Sequence, residues 1–375
     1  AGRLAQAAGV EPGRDPLLVF PDGTHLLAPT NAEIAEKVGL RTRPGLRTYD
    51  LVIVGGGPAG LAAAVYGASE GLRTLLVERE APGGQAGTTS RIENYLGFPA
   101  GLSGSDLARR AVAQASRLGA ELLTARDAKD LRLEDRYRLV TLDDGSEVAC
   151  EALIVATGVQ YRRLALEGID PLVGVGVFYG AAITEALACK GQHVAVVGGG
   201  NSAGQSALYL AQFAADVTLL VRSGVLEAGM SAYLVERLRA TPNVTIRLNA
   251  SVTAVRGADS LEGITVEDSA AGRREELPMQ ALFLFIGALP RTEWLAGILE
   301  RDPAGFIVTG PALSRASDGR VPGWPLTREP FLLETNVPGI FAAGDVRSRS
   351  VKRIASGVGE GSMAVQFVHQ HLAGL

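Results

Sequence analysis

The sequence predicts an α/β protein in which one strand–turn–helix–strand unit occurs twice. Three observations carry that prediction. The stretch "YDLVIVGGGPAGLAAAVYGASEGLRTLLVERE" (49–80) orders an apolar run, a triple glycine, a small-residue helix and a second apolar run. The stretch "QHVAVVGGGNSAGQSALYLAQFAADVTLLVR" (192–222) repeats that order. In both, the glycines stand between strand and helix, as Gly55-x-Gly57-x-x-Gly60 and Gly198-x-Gly200-x-x-Ala203. Such a turn lets a backbone approach a pyrophosphate and aims a helix N-terminus at its charge. The fold class is therefore α/β with two Rossmann-like dinucleotide-binding domains.

The N-terminal residues read differently. "PLLVF" is a strand, "PDGT" a turn and "HLLAP" a second strand. "TNAEIAEKVGL" is a helix, with Thr30 and Glu33 spaced as a capping box and Gly39 near its end. Two strands and one short helix cannot bury much core. Their order, with Pro16 ahead of the first strand, resembles the C-terminal half of a thioredoxin or glutaredoxin fold, which carries a cis proline there. A plain hairpin appendage is the alternative. "RTRPGLRTYD" (41–50) is a linker.

Further along, "LARRAVAQASRLGAELL" is an amphipathic helix and a strand. "YRLVTLDDGSEVACEALIVAT" gives strands around an Asp-Asp-Gly turn. After the second glycine unit come the strands "VTIRLNASVTAVRG" and "GITVED", and then "LFLFIGALPRT". "GIFAAGDV" and the helix "SGVGEGSMAVQFVHQHL" end the chain. The expected organisation is 1–47 as the thioredoxin-like segment and linker, 48–161 and 290–375 as the first dinucleotide domain, and 162–289 as the second.

Composition narrows the function. The 375 residues are 47% hydrophobic and 20% charged, the balance of a globular protein. A net charge of −4 gives no electrostatic reason to expect nucleic acid or an anionic membrane as partner. No apolar run reaches the roughly 18 residues that span a bilayer. The start has no secretory pattern and no Met, which makes a fragment of a longer cytoplasmic chain the expectation. Two cysteines, Cys150 and Cys189, are too few for a disulfide framework and read as buried packing residues. The four histidines make no metal spacing; His369 and His371 read as helix surface.

Glu78 ends the strand after the first fingerprint, 18 positions beyond Gly60, where a carboxylate accepts hydrogen bonds from a ribose. The second unit has no acid at the corresponding place. Arg222 stands there instead and favours the 2′-phosphate of NADP(H) over NAD(H). The alternative is a solvated surface arginine.

Six ordered motifs together resemble a family, the low-molecular-weight thioredoxin reductases and the related ferredoxin–NADP reductases. They are "GGGPAG" (55–60), "GGQAGTTSRIENYLGFP" (83–99), "ATG" (156–158), "GGGNSAG" (198–204), "FIGALPRT" (285–292) and "FAAGDV" (341–346); "GEGSMA" (359–364) extends the match. The resemblance implies FAD on the first fold. Gly55, Gly57, Pro58, Ala59 and Gly60 would take the pyrophosphate and Glu78 the adenosine ribose. Gly83, Gly84 and Gln85 would lie along the flavin, with Asn94 beside its ring. Ala156, Thr157 and Gly158 would line the same site. Asp345, after Gly344, would bind the ribityl chain. Arg353 and Ile354 would open the helix facing the pyrimidine end of the flavin. It implies NAD(P)H at Gly198, Gly200, Asn201, Ser202, Ala203 and Arg222, on a domain that can rotate about a two-strand hinge. It also implies a homodimer.

The departures are equally specific. The thioredoxin reductases carry Cys-x-x-Cys directly after a tyrosine. Here Tyr179 is followed by Gly180, Ala181, Ala182 and Ile183. Those enzymes pair two adjacent arginines with the NADP phosphate, where this chain has Val221, Arg222 and Ser223. They use Arg-Gln-Ala where this chain has Lys352, Arg353 and Ile354. The expected function is thus a FAD-dependent NAD(P)H oxidoreductase without an internal redox disulfide, passing electrons to a small-molecule or protein acceptor. A disulfide reductase with its cysteines outside this chain and a non-catalytic redox sensor are the rivals.

Overall fold

The computed structural model describes residues 16–374 apart from 88–91, 93–94, 180–185 and 187. Asn94 and Gly180 to Ile183 therefore lie outside the described residues, as does the bond preceding Pro16. The chain divides into two compact units. One is built from residues 16–87, 95–158 and 290–374, the other from 159–289 with Ile92.

The first unit begins with the hairpin β1 (Leu17–Val19) and β2 (His25–Leu27), whose register pairs Leu17 with Leu27. Helix α1 (Asn31–Lys37) follows, and both arms of its Thr30–Glu33 capping box are present. Of residues 16–40 only Ala35 is buried, so this segment has no core of its own.

The main sheet joins β3 (Thr48–Val54), β4 (Thr74–Glu78), β5 (Glu121–Thr124), β6 (Ala128–Glu134), β7 (Tyr137–Leu142), β8 (Glu147–Val155) and β19 (Ile340–Ala342). Its order is β5-β4-β3-β8-β7-β6. β3, β4, β5 and β8 run parallel, and β6 and β7 antiparallel. β8 gives one side to β3; its other side pairs first with β7 and then, at Leu153 to Val155, with β19. Leu51 and Ile53 face one core and Val52 and Val54 another. β3 is thus covered on both faces, which explains its unbroken apolar sequence. Helices α2 (Pro58–Ser69), α4 (Gly104–Arg117) and α7 (Ile354–Leu372) cover the first face, and α3 (Gly84–Gly87) is a single turn.

The second unit centres on a five-stranded parallel sheet. Its order is β10 (Val177–Phe178), β17 (Ala281–Leu284), β11 (His193–Val197), β12 (Asp216–Leu220) and β13 (Val244–Arg247). Helices α5 (Asn201–Leu210) and α6 (Ala232–Ala240) pack on one face through Ala203, Ala207, Leu234 and Leu238. On the other face, Ala195, Leu220 and Leu282 meet Val252, Ile264 and Val266 of the antiparallel strands β14 (Ala250–Arg256), β15 (Gly263–Asp268) and β16 (Arg273–Pro278). β9 (Val159–Tyr161) and β18 (Ala288–Pro290) pair where the chain enters and leaves the insertion.

The stretch from 291 to 339 holds short 3-10 turns and isolated β-bridges rather than long helices or strands, and a buried ion pair organises its second half. Glu334, fully buried, takes both Nη atoms of Arg328 at 2.7 and 3.0 Å, and accepts the Phe331 and Gly339 N–H groups. Arg328 lies 3.9 Å from the Phe331 ring centroid, and its carbonyl accepts the Trp324 indole N–H. A charge this deep persists only when every lone pair is engaged. Glu334→Ala is expected to cost about 3–5 kcal/mol of unfolding free energy, because Arg328 and two backbone donors lose their partner. Denaturant unfolding checks this; a loss below about 1 kcal/mol would mean that the pair only fills space.

Candidate functional site

In the first unit, the parallel strands end in one row. Gly55 N–H donates to Val77 O, Ala156 N–H to Val54 O and Ala343 N–H to Val155 O. The strand order reverses between β3 and β8, and in such sheets ligands bind outside the strand ends at that point. Residues 55–60, 156–158 and 343–345, far apart in the chain, converge there.

Glycine is required at this row. Gly55 has φ of 110°, and a Cβ on it would strike the carbonyl of Ala156. A Cβ on Gly60 would strike the Gly55 carbonyl, and one on Gly344 would come 2.9 Å from the Ala59 Cβ. Gly57 is different: a Cβ there meets nothing within 4 Å and would project into open space at the start of α2. No side chain caps that start, and Pro58 is the first helical residue. The free N–H groups carry the positive end of the helix dipole. Gly83 donates its N–H to Gly56 O at 2.7 Å, and Gly84 sits against Gly57, so the 82–87 loop lies on the turn with Gln85 exposed.

Glu78 accepts the Gly56 N–H at 2.6 Å on one oxygen and the Glu80 N–H at 2.8 Å on the other. An ionised carboxylate offers about four lone-pair sites, so two remain for hydroxyl donors. A cavity of about 70 Å³ adjoins it, lined among others by Arg126, Asp127, Thr157, Arg291 and Trp294. Thr157 donates its hydroxyl to Arg291 O at 3.1 Å, and Arg291 reaches Asp127 at 3.2 Å. Sequence reading missed Arg126, Asp127 and Trp294. Arg291 lay inside the quoted "FIGALPRT" without being singled out.

Asp345 is half-buried, and its carboxylate has no hydrogen-bond donor among the described residues. Burial holds its pKa above the ordinary carboxylate range, Glu360 adds to that, and Lys352 opposes it. Glu360 on α7 accepts the Gly344 N–H at 2.7 Å and pairs with Arg347, which fixes the turn carrying Asp345. Arg353 is the uncapped N-cap of α7, with Ile354 its first residue. An open space before one helix, spare acceptors on Glu78 and an unpartnered Asp345 along one row fit a bound dinucleotide such as FAD.

The second unit repeats the turn. A Cβ on Gly198 (φ 149°) would come 2.5 Å from the Phe285 carbonyl, and Gly200 is the uncapped N-cap of α5. Ala203 is buried against the turn, while Ser202 is exposed. Asn201 accepts the Ser231 N–H and hydroxyl, both at 2.8 Å, so its side-chain oxygen holds the loop before α6. Arg222 is exposed and makes no ion pair or hydrogen bond within the described residues.

The histidines depart from the sequence expectation. Both are half-buried at the end of α7 rather than on its open surface. His369 faces Glu70, and His371 sits by Arg138 and Gly339, with its pKa lowered chiefly by burial. The described residues hold no group of three or more metal-ligating side chains. Both cysteines are buried, and burial pushes the Cys150 thiol up to about 12. Thiolate is the reactive form, so the native protein should show no rapidly reacting thiol at about pH 8. Denaturation should release both. Colorimetric thiol titration checks this, and a fast native thiol would contradict the packing.

The comparisons agree with this architecture. Residues 49–361 match the family model for pyridine nucleotide-disulphide oxidoreductases. The chain is 32% identical over 327 residues to a thioredoxin reductase of Bacillus subtilis, covering 87% of this chain and 95% of that one. It is 35% identical over 316 residues to a component of the alkyl hydroperoxide reductase of Staphylococcus aureus, covering 84% of this chain and 57% of that one. Among solved structures, Lactococcus lactis thioredoxin reductase superposes with a TM-score of 0.70 at 29% identity, over 87% of this chain and all of that one. The chain belongs to the pyridine nucleotide-disulphide oxidoreductase family, as a thioredoxin-reductase-like, FAD-dependent NAD(P)H oxidoreductase.

Proposed function

We propose that the chain delivers electrons from NAD(P)H to an acceptor without a redox disulfide of its own. FAD, when bound, supplies the chemistry by accepting hydride from the nicotinamide and releasing electrons onward. The observation that carries the reading is Gly180-Ala181-Ala182-Ile183 after Tyr179, in a chain with two cysteines, both buried. This sequence itself holds no thiol pair at this place to relay electrons.

The remaining roles belong to the residues of the two strand-end rows. The Gly55–Gly60 turn and the start of α2 hold the FAD pyrophosphate, and Glu78 holds its ribose. Ala156 to Gly158 form the opposite wall. Asp345 accepts from the ribityl hydroxyls. The N-terminus of α7, at Arg353 and Ile354, places positive potential at the pyrimidine end. Gly198 to Ala203 take the nicotinamide dinucleotide. The chain works as a cytoplasmic homodimer; light scattering showing a monomer would remove the dimer and leave the chemistry untouched.

One observation favours a second reading. The β1–β2–α1 segment has the order of half a thioredoxin fold, and relatives carry the names thioredoxin reductase and alkyl hydroperoxide reductase. In that reading cysteines outside this chain take the electrons. Steady NADPH-dependent reduction of added thioredoxin by the full-length protein would favour it.

Anaerobic titration of the FAD-loaded protein should consume two electrons per FAD, with no long-wavelength thiolate band. Four electrons, or such a band abolished by Cys189→Ser, would defeat the proposal. NADPH should be preferred to NADH. Charge-assisted pairing with phosphate contributes about 1.5–3 kcal/mol, a factor of roughly ten to a hundred. Arg222→Ala should erase that preference in kcat/KM; equal use of both coenzymes by the wild type would make Arg222 a surface charge only.

A further inference from the structure

The N-terminal segment lacks a core, yet it is fastened to the first unit at a particular place. Its linker runs along the outer edge of β5, the edge strand of the sheet. Thr124 donates its N–H to Arg41 O at 3.0 Å, and Glu121 accepts the Gly45 N–H at 2.6 Å and the Tyr49 hydroxyl at 2.8 Å. The turn after β5 then carries Arg126, whose side chain is only 9% exposed. Its Nε donates to Thr42 O at 2.7 Å and lies 3.4 Å from Asp144 Oδ2. Its Nη2 lies 3.9 Å from Glu36 Oε1 on α1, and Glu36 accepts the Thr42 hydroxyl at 2.9 Å.

The same residue touches the cofactor end. The Arg126 N–H donates to Glu78 O at 3.1 Å, and Arg126 lines the cavity beside Glu78, Asp127 and Arg291. A buried guanidinium cannot be left unpaired cheaply, so the 124–127 turn and the 36–45 segment hold each other in place. We propose that Arg126 is a positioning residue that couples the N-terminal segment to the adenosine end of the FAD site. Whatever holds or releases the segment then alters flavin affinity. Coupling is reciprocal, so FAD also tightens the segment. The proposal rests on the first fold being the FAD site.

Hydrogen exchange on the full chain, stripped of flavin and then reloaded, tests both directions. FAD should slow exchange of amides 34–45 by about tenfold in the wild type, besides those at 55–60. Arg126→Gln should abolish the slowing at 34–45 and weaken FAD binding by about tenfold, read by flavin fluorescence, with exchange across 193–210 unchanged. Arg126→Lys, which still offers a donor to Thr42 O, should restore part of both. Should Arg126→Gln fail to fold, Glu36→Gln loosens the outer contact and should move both readouts the same way by a smaller factor. Protection at 55–60 without any at 34–45 would overturn the coupling and leave the FAD site standing. So would a variant that frees the segment while FAD affinity is unchanged. A wild type that binds no FAD would overturn both readings.

Discussion

The arrangement of the first unit depends on how closely the chain can approach Ala59. Two glycines from other segments press on it: Gly344 after β19 and Gly361 on α7. A Cβ on Gly361 would overlap the Ala59 carbonyl, and a Cβ on Gly60 would overlap that of Gly55. Without side chains at these points, α2 lies down on the turn after β3, and α7 lies down on α2. The C-terminal segment reaches the row of strand ends that the N-terminal fingerprint began. Any larger residue would force the two helices apart, because close-packed interiors have no slack to absorb a methyl group.

The charges at the row follow from the same geometry. α7 must start beside the turn after β19, and Glu360, in the second turn of the helix, then meets the Gly344 N–H and Arg347. That contact fixes Gly344 at φ of 78° and leaves the next carboxylate, Asp345, half-buried without a protein donor among the described residues. A polar group kept out of water without a partner is costly, and a ligand hydroxyl is what would relieve it. The second unit builds its turn from Gly198 and Ala203 with the same steric logic. It uses the Asn201 side chain to hold Ser231 and leaves Arg222, near the strand ends, without an ion-pair partner among the described residues.

The proposed electron exit rests on the place where the family resemblance implies a Cys-x-x-Cys and this sequence has none. Gly180 to Ile183 offer no sulfur, and Cys150 sits on β8 in the sheet core, where low polarity keeps its thiol protonated. At the other end, residues 16–47 blunt the open edge of β5 and bring Glu36 and Thr42 to Arg126. An exposed edge strand is a template for unwanted pairing, so this cover also has a plain structural value.

The sequence by itself determined the features set by local sterics. Glycines between an apolar strand and a helix specify the turn wherever they occur, so both dinucleotide folds were legible. So were the Thr30–Glu33 capping box and the Asp-Asp-Gly hairpin between β7 and β8. The tertiary structure alone decided what distant segments do to one another. Arg126, Asp127 and Trp294 belong to no motif, and they reach the Glu78 cavity only because β5 ends, β6 begins and the chain after β18 passes there. Likewise the Arg328–Glu334 pair lies in a stretch without periodicity, and His371 at the end of α7 becomes half-buried only because Arg138 and Gly339 pack over it. Local patterns record backbone conformation and burial period. Side-chain pairs across long loops leave no such periodic trace, because their partners are fixed by the packing of sheets and helices rather than by their neighbours in the chain.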